Sequence, residues 1–146
     1  MHRATMDDFK EIQEIFGMYK DVFSYMRQDY LIRRMQANQV IFEDGVVIIF
    51  GIYKRNQKIG TALAKKDDVM CYELASKDPT KAKKKMEQFI NYVDTNVWSN
   101  AREANIISRV FHKRTGFVEM GQIVWKNGTI KGCVYCAPKK VLDIWK

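Results

Sequence analysis

Cysteine is scarce in this chain: Cys71, Cys133 and Cys136 are the only three in 146 residues. Three cannot make a disulfide framework, and Cys133-x-x-Cys136 lacks the second pair that would complete a zinc site. Both fall in a predicted strand, where positions three apart point to opposite faces, so buried free thiols are expected. No apolar run approaches the length of a membrane span. No charged start followed by an apolar stretch marks a secretory signal. The expectation is a soluble, cytoplasmic protein that does not enter a membrane. Nor does any linker or repeat interrupt the sequence, so one domain over residues 1–146 is expected.

What is present is apolar mass and positive charge. An apolar fraction of 47% indicates a globular chain rather than a disordered one. The net charge of +8 admits nucleic acid, an anionic surface or a polyanionic cofactor as partner. Lys77, Lys81, Lys83, Lys84 and Lys85 form one cluster, and Arg109, Lys113 and Arg114 another. Lys139 and Lys140 lie near the C-terminus. A solvated face is the alternative for each.

Hydrophobic spacing orders the elements. His2 to Thr5 reads as a short strand. Asp7 and Asp8 favour a helix start through the dipole, and Phe9, Ile12, Ile15 and Phe16 continue it as a stripe. A second helix is expected over 21–37, around Val22, Met26, Tyr30, Leu31 and Met35. Val40–Glu43, Asp44-Gly45 and Val46–Phe50 make a hairpin, with Asp-Gly supplying the positive φ of a tight turn. Residues 54–66 are polar enough for a long connection. Val69–Leu74 is apolar on both faces and reads as a central strand. Thr80 can cap a helix that buries Ala82, Met86, Phe89, Ile90 and Val93. A short strand over Asn96–Ser99, a helix, and a second hairpin about Asn127-Gly128 complete the order.

Asn105–Phe117 is the most informative stretch. At helical spacing Ile106, Ile107, Val110 and Phe111 fall on one side, and Asn105, Ser108, Arg109 and His112 on the other. The first set is expected to pack and the second to face a ligand, with Gly116 as the stop. The stretch resembles the helix of the GCN5-related N-acetyltransferase (GNAT) superfamily, Asn-x-x-Ala-x-x-(apolar)-Tyr-x-Lys-x-Gly-Phe. Asn105, Phe111, Lys113, Gly116 and Phe117 match, while Ser108 replaces the Ala and His112 the Tyr. The order of elements agrees with that family over essentially the whole chain. The resemblance implies an α/β fold: a mixed, mostly antiparallel central sheet flanked by helices, with a splayed strand pair forming a cleft for acyl-coenzyme A.

Placed on that pattern, acetyl-coenzyme A would lie along Leu74, Ala75 and Ser76, its phosphates at the helix start near Lys77, Thr80, Lys81 and Ala82, where backbone N–H groups and the dipole favour anions. Asn105, Ser108, Arg109 and Phe111 would line the other side, with Asn105 orienting the pantetheine amides. The chain departs from the family in having no glycine over Ser76–Ala82, and Asp78 adds a negative charge there. Acyl transfer to an amine needs one proton removed and one supplied. Glu73, a carboxylate within an apolar strand, is one candidate for the base, with a solvent-reaching strand-end carboxylate as the alternative. His112 is the other candidate, as cofactor contact or proton acceptor. Arg109 and Lys113 would lower its pKa, and an exposed surface histidine is its alternative. Cys71 as an acyl carrier stands against a buried thiol.

Two functions follow. One is an acetyl-coenzyme A-dependent N-acetyltransferase acting by direct attack of a small-molecule or peptide amine. Tyr25, Tyr30, Trp125 and Tyr135 are candidates to line its acceptor site, and homodimerisation is implied by the resemblance. The other is a GNAT-fold binding protein with a degenerate cofactor loop and a basic surface for nucleic acid or a protein. Residues 125–132 look like small acetyltransferase-like proteins of tailed phages, some of which are virion components. Docking of the apolar tail Val141–Trp145 on its own domain or a neighbour is a further expectation.

Overall fold

A computed structural model describes residues 1–21, 23, 27–125 and 127–139. In chain order it contains α1 (Phe9–Gly17), α2 (Gln28–Gln36), β1 (Val40–Glu43), β2 (Val46–Ile52), β3 (Gln57–Ile59), β4 (Ala62–Ala64) and β5 (Val69–Ser76). These are followed by α3 (Ala82–Val93), β6 (Val97–Arg102), α4 (Ile106–Arg114), β7 (Val118–Trp125) and β8 (Ile130–Ala137). Short 3-10 turns at Met6–Asp8 and Pro79–Lys81 lead into α1 and α3. Among the described residues no helix is long and apolar enough to cross a membrane. The chain divides into two compact units, Met1–Gly51 with Cys71–Lys85, and Ile52–Met70 with the residues from Met86 onward.

The first unit is built on the β1–β2 hairpin. Asp44 and Gly45 take φ of 53° and 73°, and Glu43 pairs with Val46 across the two-residue turn. β2 is buried at every position but its last, as a strand covered on both faces should be. Ile12, Ile15 and Phe16 of α1, and Leu31 and Met35 of α2, pack on Val40, Phe42, Val47, Ile49 and Ala75. The expected first strand shrinks to one bridge, Arg3↔Ile41. α2 begins at Gln28 rather than near residue 21, after an extended Arg27. Val22, Tyr25 and Met26, assigned above to the second helix and the acceptor site, lie outside the described residues.

Helix α3 starts differently from the expectation too. Asp78, not Thr80, is the cap, and it caps the 3-10 turn leading into α3: its Oδ1 accepts from the Thr80 N–H at 3.0 Å and the Thr80 hydroxyl at 2.8 Å. Lys85, counted above with the exposed cluster, is buried and ion-paired to Asp44 at 2.7 Å and Glu43 at 3.5 Å. Its charge is neutralised by the hairpin turn rather than offered to a ligand.

The second unit carries the start of β5, then β6, β8 and β7 in sheet order. The Val69↔Val97 and Met70↔Trp98 pairs are parallel, and β6–β8 and β7–β8 are antiparallel. The sheet is thus mixed and mostly antiparallel, flanked by helices. Asp68, buried, fixes the entry to β5 by accepting from the Trp98 indole N–H at 2.8 Å and the Lys65 N–H at 2.9 Å. The stretch 54–66, expected as a plain connection, contains the β3–β4 hairpin instead. Its alternate residues Ile59, Ala62 and Ala64 are buried against Trp98 and Val134. Thr61 ties its tip to Gln122, donating from its N–H to the Gln122 carbonyl and accepting from the Gln122 N–H at its hydroxyl.

Candidate functional site

In the first unit, Glu73 lies on the buried face of β5 with only 9% of its surface exposed. α2 supplies its partner, since the Tyr30 hydroxyl lies 3.2 Å from Oε2 and 3.5 Å from Oε1 and donates to the carboxylate. Burial first, and the Glu73 charge second, push the Tyr30 pKa up to about 12, so Tyr30 stays a donor. One helical turn on, the Arg34 guanidinium lies 5.1 Å from the Tyr30 ring centre and 4.4 Å from that of Tyr72. Cys71, two residues from Glu73, is fully buried, and burial followed by the Glu73 charge raises its thiol to about 12. Burial and the raised pKa both favour the buried structural thiol over the acyl carrier. All three cysteines are buried and free, as expected.

The stretch 74–82 is mostly occupied by its own hydrogen bonds. The Ser76 carbonyl accepts from the Tyr19 hydroxyl, and the Ser76 hydroxyl donates to the Asp78 carbonyl. The Lys77 N–H donates to Gly45 O at 2.9 Å. The N–H groups of Thr80, Lys81 and Ala82 go to Asp78 Oδ1, Asp78 O and Pro79 O. The Thr80 hydroxyl and N–H hold the Asp78 carboxyl below the usual range. Ala75 and Ser76 are buried and Leu74 is half-buried, whereas Lys77, Thr80 and Lys81 remain exposed.

In the second unit, α4 presents the reverse of the expected faces. Ile106, Ile107 and Val110 are exposed, while His112 is buried at 7%. Helical spacing separates two faces without telling which packs, and here a fully bonded histidine is cheaper to bury than its polarity suggests. His112 Nδ1 lies 2.6 Å from the Ser108 carbonyl, which can only accept, so the proton sits on Nδ1. Nε2 therefore accepts from the Ser99 hydroxyl at 2.8 Å. The ring stacks on Tyr135 at 4.6 Å and meets the edge of Phe117 at 5.1 Å. Its pKa is lowered, as expected from sequence, but burial is the cause and not the neighbouring cations. Tyr135 has no exposed surface, so it cannot line an acceptor site.

Asn105 serves as the cap of α4, its Oδ1 accepting from the Ser108 N–H at 3.1 Å. Arg109 donates from Nη1 to Glu103 O at 3.1 Å. The Tyr135 hydroxyl lies close enough to raise the Arg109 pKa, while the Arg109 Nε itself has no hydrogen-bond partner among the described residues. Arg109 also lines an open cavity of about 550 Å³ with Arg102, Lys131, Ile106 and Ile130. Phe111 is half-buried. Among the described residues no cluster of ligands could hold a metal ion.

Sequence reasoning missed Ser99, Arg34 and Tyr72. Ser99 carried a weak signal, as a hydroxyl directly after the apolar pair Val97-Trp98. Arg34 and Tyr72 carried none beyond the spacing of Arg34 from Tyr30.

No family model and no curated protein matches the chain. Solved structures do. Ard1 from Thermoplasma volcanium superposes with a TM-score of 0.71 and 11% identity, over 96% of this chain and 97% of that one. A GNAT-family acetyltransferase from Bacillus cereus gives 0.68 and 14%, over 95% and 96%. The ribosomal-protein-S18-alanine N-acetyltransferase from Escherichia coli gives 0.63 and 11%, over 99% and 96%. Identities this low speak to fold alone, and the fold is the one shared with Ard1 and these two acetyltransferases.

Proposed function

We propose that this GNAT-fold chain is an acetyl-coenzyme A-dependent N-acetyltransferase, acting on a primary amine by direct attack. The observation that carries it is Glu73: a buried carboxylate on a central strand, held by a tyrosine and suited to take a proton from an attacking amine. Bound acetyl-coenzyme A supplies the activated thioester. Tyr30 orients the Glu73 carboxylate and, with its raised pKa, does not compete for the proton. His112 is a positioning residue in this reading. Both its ring nitrogens are engaged, Nδ1 by the Ser108 carbonyl and Nε2 by the Ser99 hydroxyl.

The residues present suit a polyanion by charge. Lys77, Lys81 and Lys84 are exposed about the start of α3. In the first unit, Leu74, Ala75 and Ser76 of β5 complete the set that would hold the cofactor. A neighbour of similar fold is named for acetylating the alanine of a ribosomal protein, which supports a small-molecule or peptide amine as acceptor.

One observation favours a second reading, a GNAT-fold binding or virion-associated protein. The N–H groups that would cradle a pyrophosphate are already bonded within 76–82 or to Gly45. Thermal stability with and without acetyl-coenzyme A separates the two. Cofactor at about 100 times its dissociation constant adds roughly 2.7 kcal/mol. No shift at millimolar cofactor, with salt-sensitive binding to nucleic acid, would favour the second reading. Where the shift occurs, Lys81→Glu should reduce it far more than Lys139→Glu. Equal effects would place the phosphate site elsewhere.

A further inference from the structure

In the first unit, a positive and a negative group flank one tyrosine. The Glu73 carboxylate receives the Tyr30 hydroxyl, and the Arg34 guanidinium lies over the same ring. Arg34 is held in place. Nη1 donates to Gln39 Oε1 at 2.8 Å, and Tyr72 lies beneath the guanidinium at 4.4 Å. Tyr72 is itself seated on the β2 backbone: a Cβ at Gly51 would fall 2.8 Å from its Cε2. A planar, permanently charged fork fixed on aromatic faces, with donors to spare, is suited to a carboxylate.

We propose that Arg34 is a specificity-determining residue that selects acceptors carrying a carboxylate on the same small molecule as the reactive amine, that is, amino acids. Resting on Glu73 as the base of the reading above, the inference assigns the two ends of a zwitterion to the two charges. The ammonium group goes to Glu73, where it loses its proton, and the carboxylate goes to Arg34. A neutral amide or ester in place of that carboxylate leaves the guanidinium donors without their charged partner, which a site built to hydrogen-bond tolerates poorly.

The test uses pairs of amino acids and their carboxamides across a range of amine-to-carboxylate spacings. Calorimetric binding and acetylation are both measured on the full chain. A preference for the carboxylate member of at least about tenfold is expected for the best spacing, in binding and in kcat/KM. Arg34→Met should bring that ratio close to one. Arg34→Lys should retain part of it, keeping the charge without the fork, and Arg33→Met, on an exposed neighbouring position, should leave it as in the wild type. Thermal melts check that each variant is folded. Equal binding of carboxylate and carboxamide by the wild type, or a ratio insensitive to Arg34→Met, would overturn the inference even if amines are acetylated. Carboxylate-selective binding lost in Arg34→Met, without turnover of any acceptor, would instead overturn the acetyltransferase reading and leave the anion site standing.

Discussion

Each compact unit buries one of the two candidate proton acceptors, Glu73 and His112, and the two burials differ in kind. Glu73 is held through a hydroxyl, beside a guanidinium, on a strand. His112 is held through both ring nitrogens, one against a carbonyl and one against a hydroxyl, between aromatic rings. The first arrangement supports an anion that can gain a proton. The second supports a neutral ring whose proton is already committed. Burial alone therefore does not mark a catalytic group, because the hydrogen bonds decide which protonation state the burial serves.

The widest separation between the two is expected from Glu73→Gln. It removes the proton acceptor at nearly constant shape and should lower kcat by roughly 100- to 1,000-fold with little change in melting temperature. Steady-state kinetics beside a melt read both, and an unchanged kcat would take Glu73 out of the chemistry. His112→Ala should do the opposite. It empties a packed site and strands the Ser99 hydroxyl and Ser108 carbonyl, so chemical denaturation should show a loss of about 2–4 kcal/mol. A large fall in kcat at unchanged stability would show that the histidine acts in the reaction after all.

Removing only its hydroxyl partner, in Ser99→Ala, should cost about 1–2 kcal/mol by the same measurement. The pH dependence of stability sharpens this further. Burial lowers the His112 pKa in the folded state below its ordinary value of about 6.5. Between those two values the unfolded chain binds the extra proton, so stability is full above about pH 6.5 and declines as pH falls through the interval. A melt series from neutral to mildly acidic pH should show that decline in the wild type and less of it in His112→Gln. The smallest effect is expected at the α3 start. Asp78→Asn keeps a capping oxygen while removing a charge, and should tighten acetyl-coenzyme A a few-fold in a binding titration. Weaker binding would mean that the carboxylate organises the loop for the cofactor.

The parts of the fold that were legible in the sequence are those with local causes. Asp44-Gly45 takes positive φ between paired strands, because a tight turn depends on its own two residues, and Asn127-Gly128 takes it within the longer connection between Trp125 and Ile130. The β3–β4 hairpin was hidden. Its strands have three residues each, and its apolar side rests on distant Trp98 and Val134, so only the alternation about Gly60-Thr61 pointed to it. Of the candidate site, Glu73 was visible as a charge in an apolar strand. The orientation of α4 was not, since Ser99 lies on another element and decides that His112 turns inward. Asp78 was read as a stray charge because capping depends on the angle at which the chain enters the helix.

The β1–β2 hairpin also bears on how the chain comes to be folded. Its register is closed by two residues, and nearly every side chain of β2 is covered. By contrast, β6 meets β8 only after α4 and β7 have been made. Loop closure of the first kind takes microseconds, while distant pairings wait on the rest of the chain. During synthesis the hairpin emerges early, with α1 and α2 already available to cover it. In pulse-labelling hydrogen exchange, the amides of Val47 to Phe50 are therefore expected to gain protection before those of Val134 to Cys136.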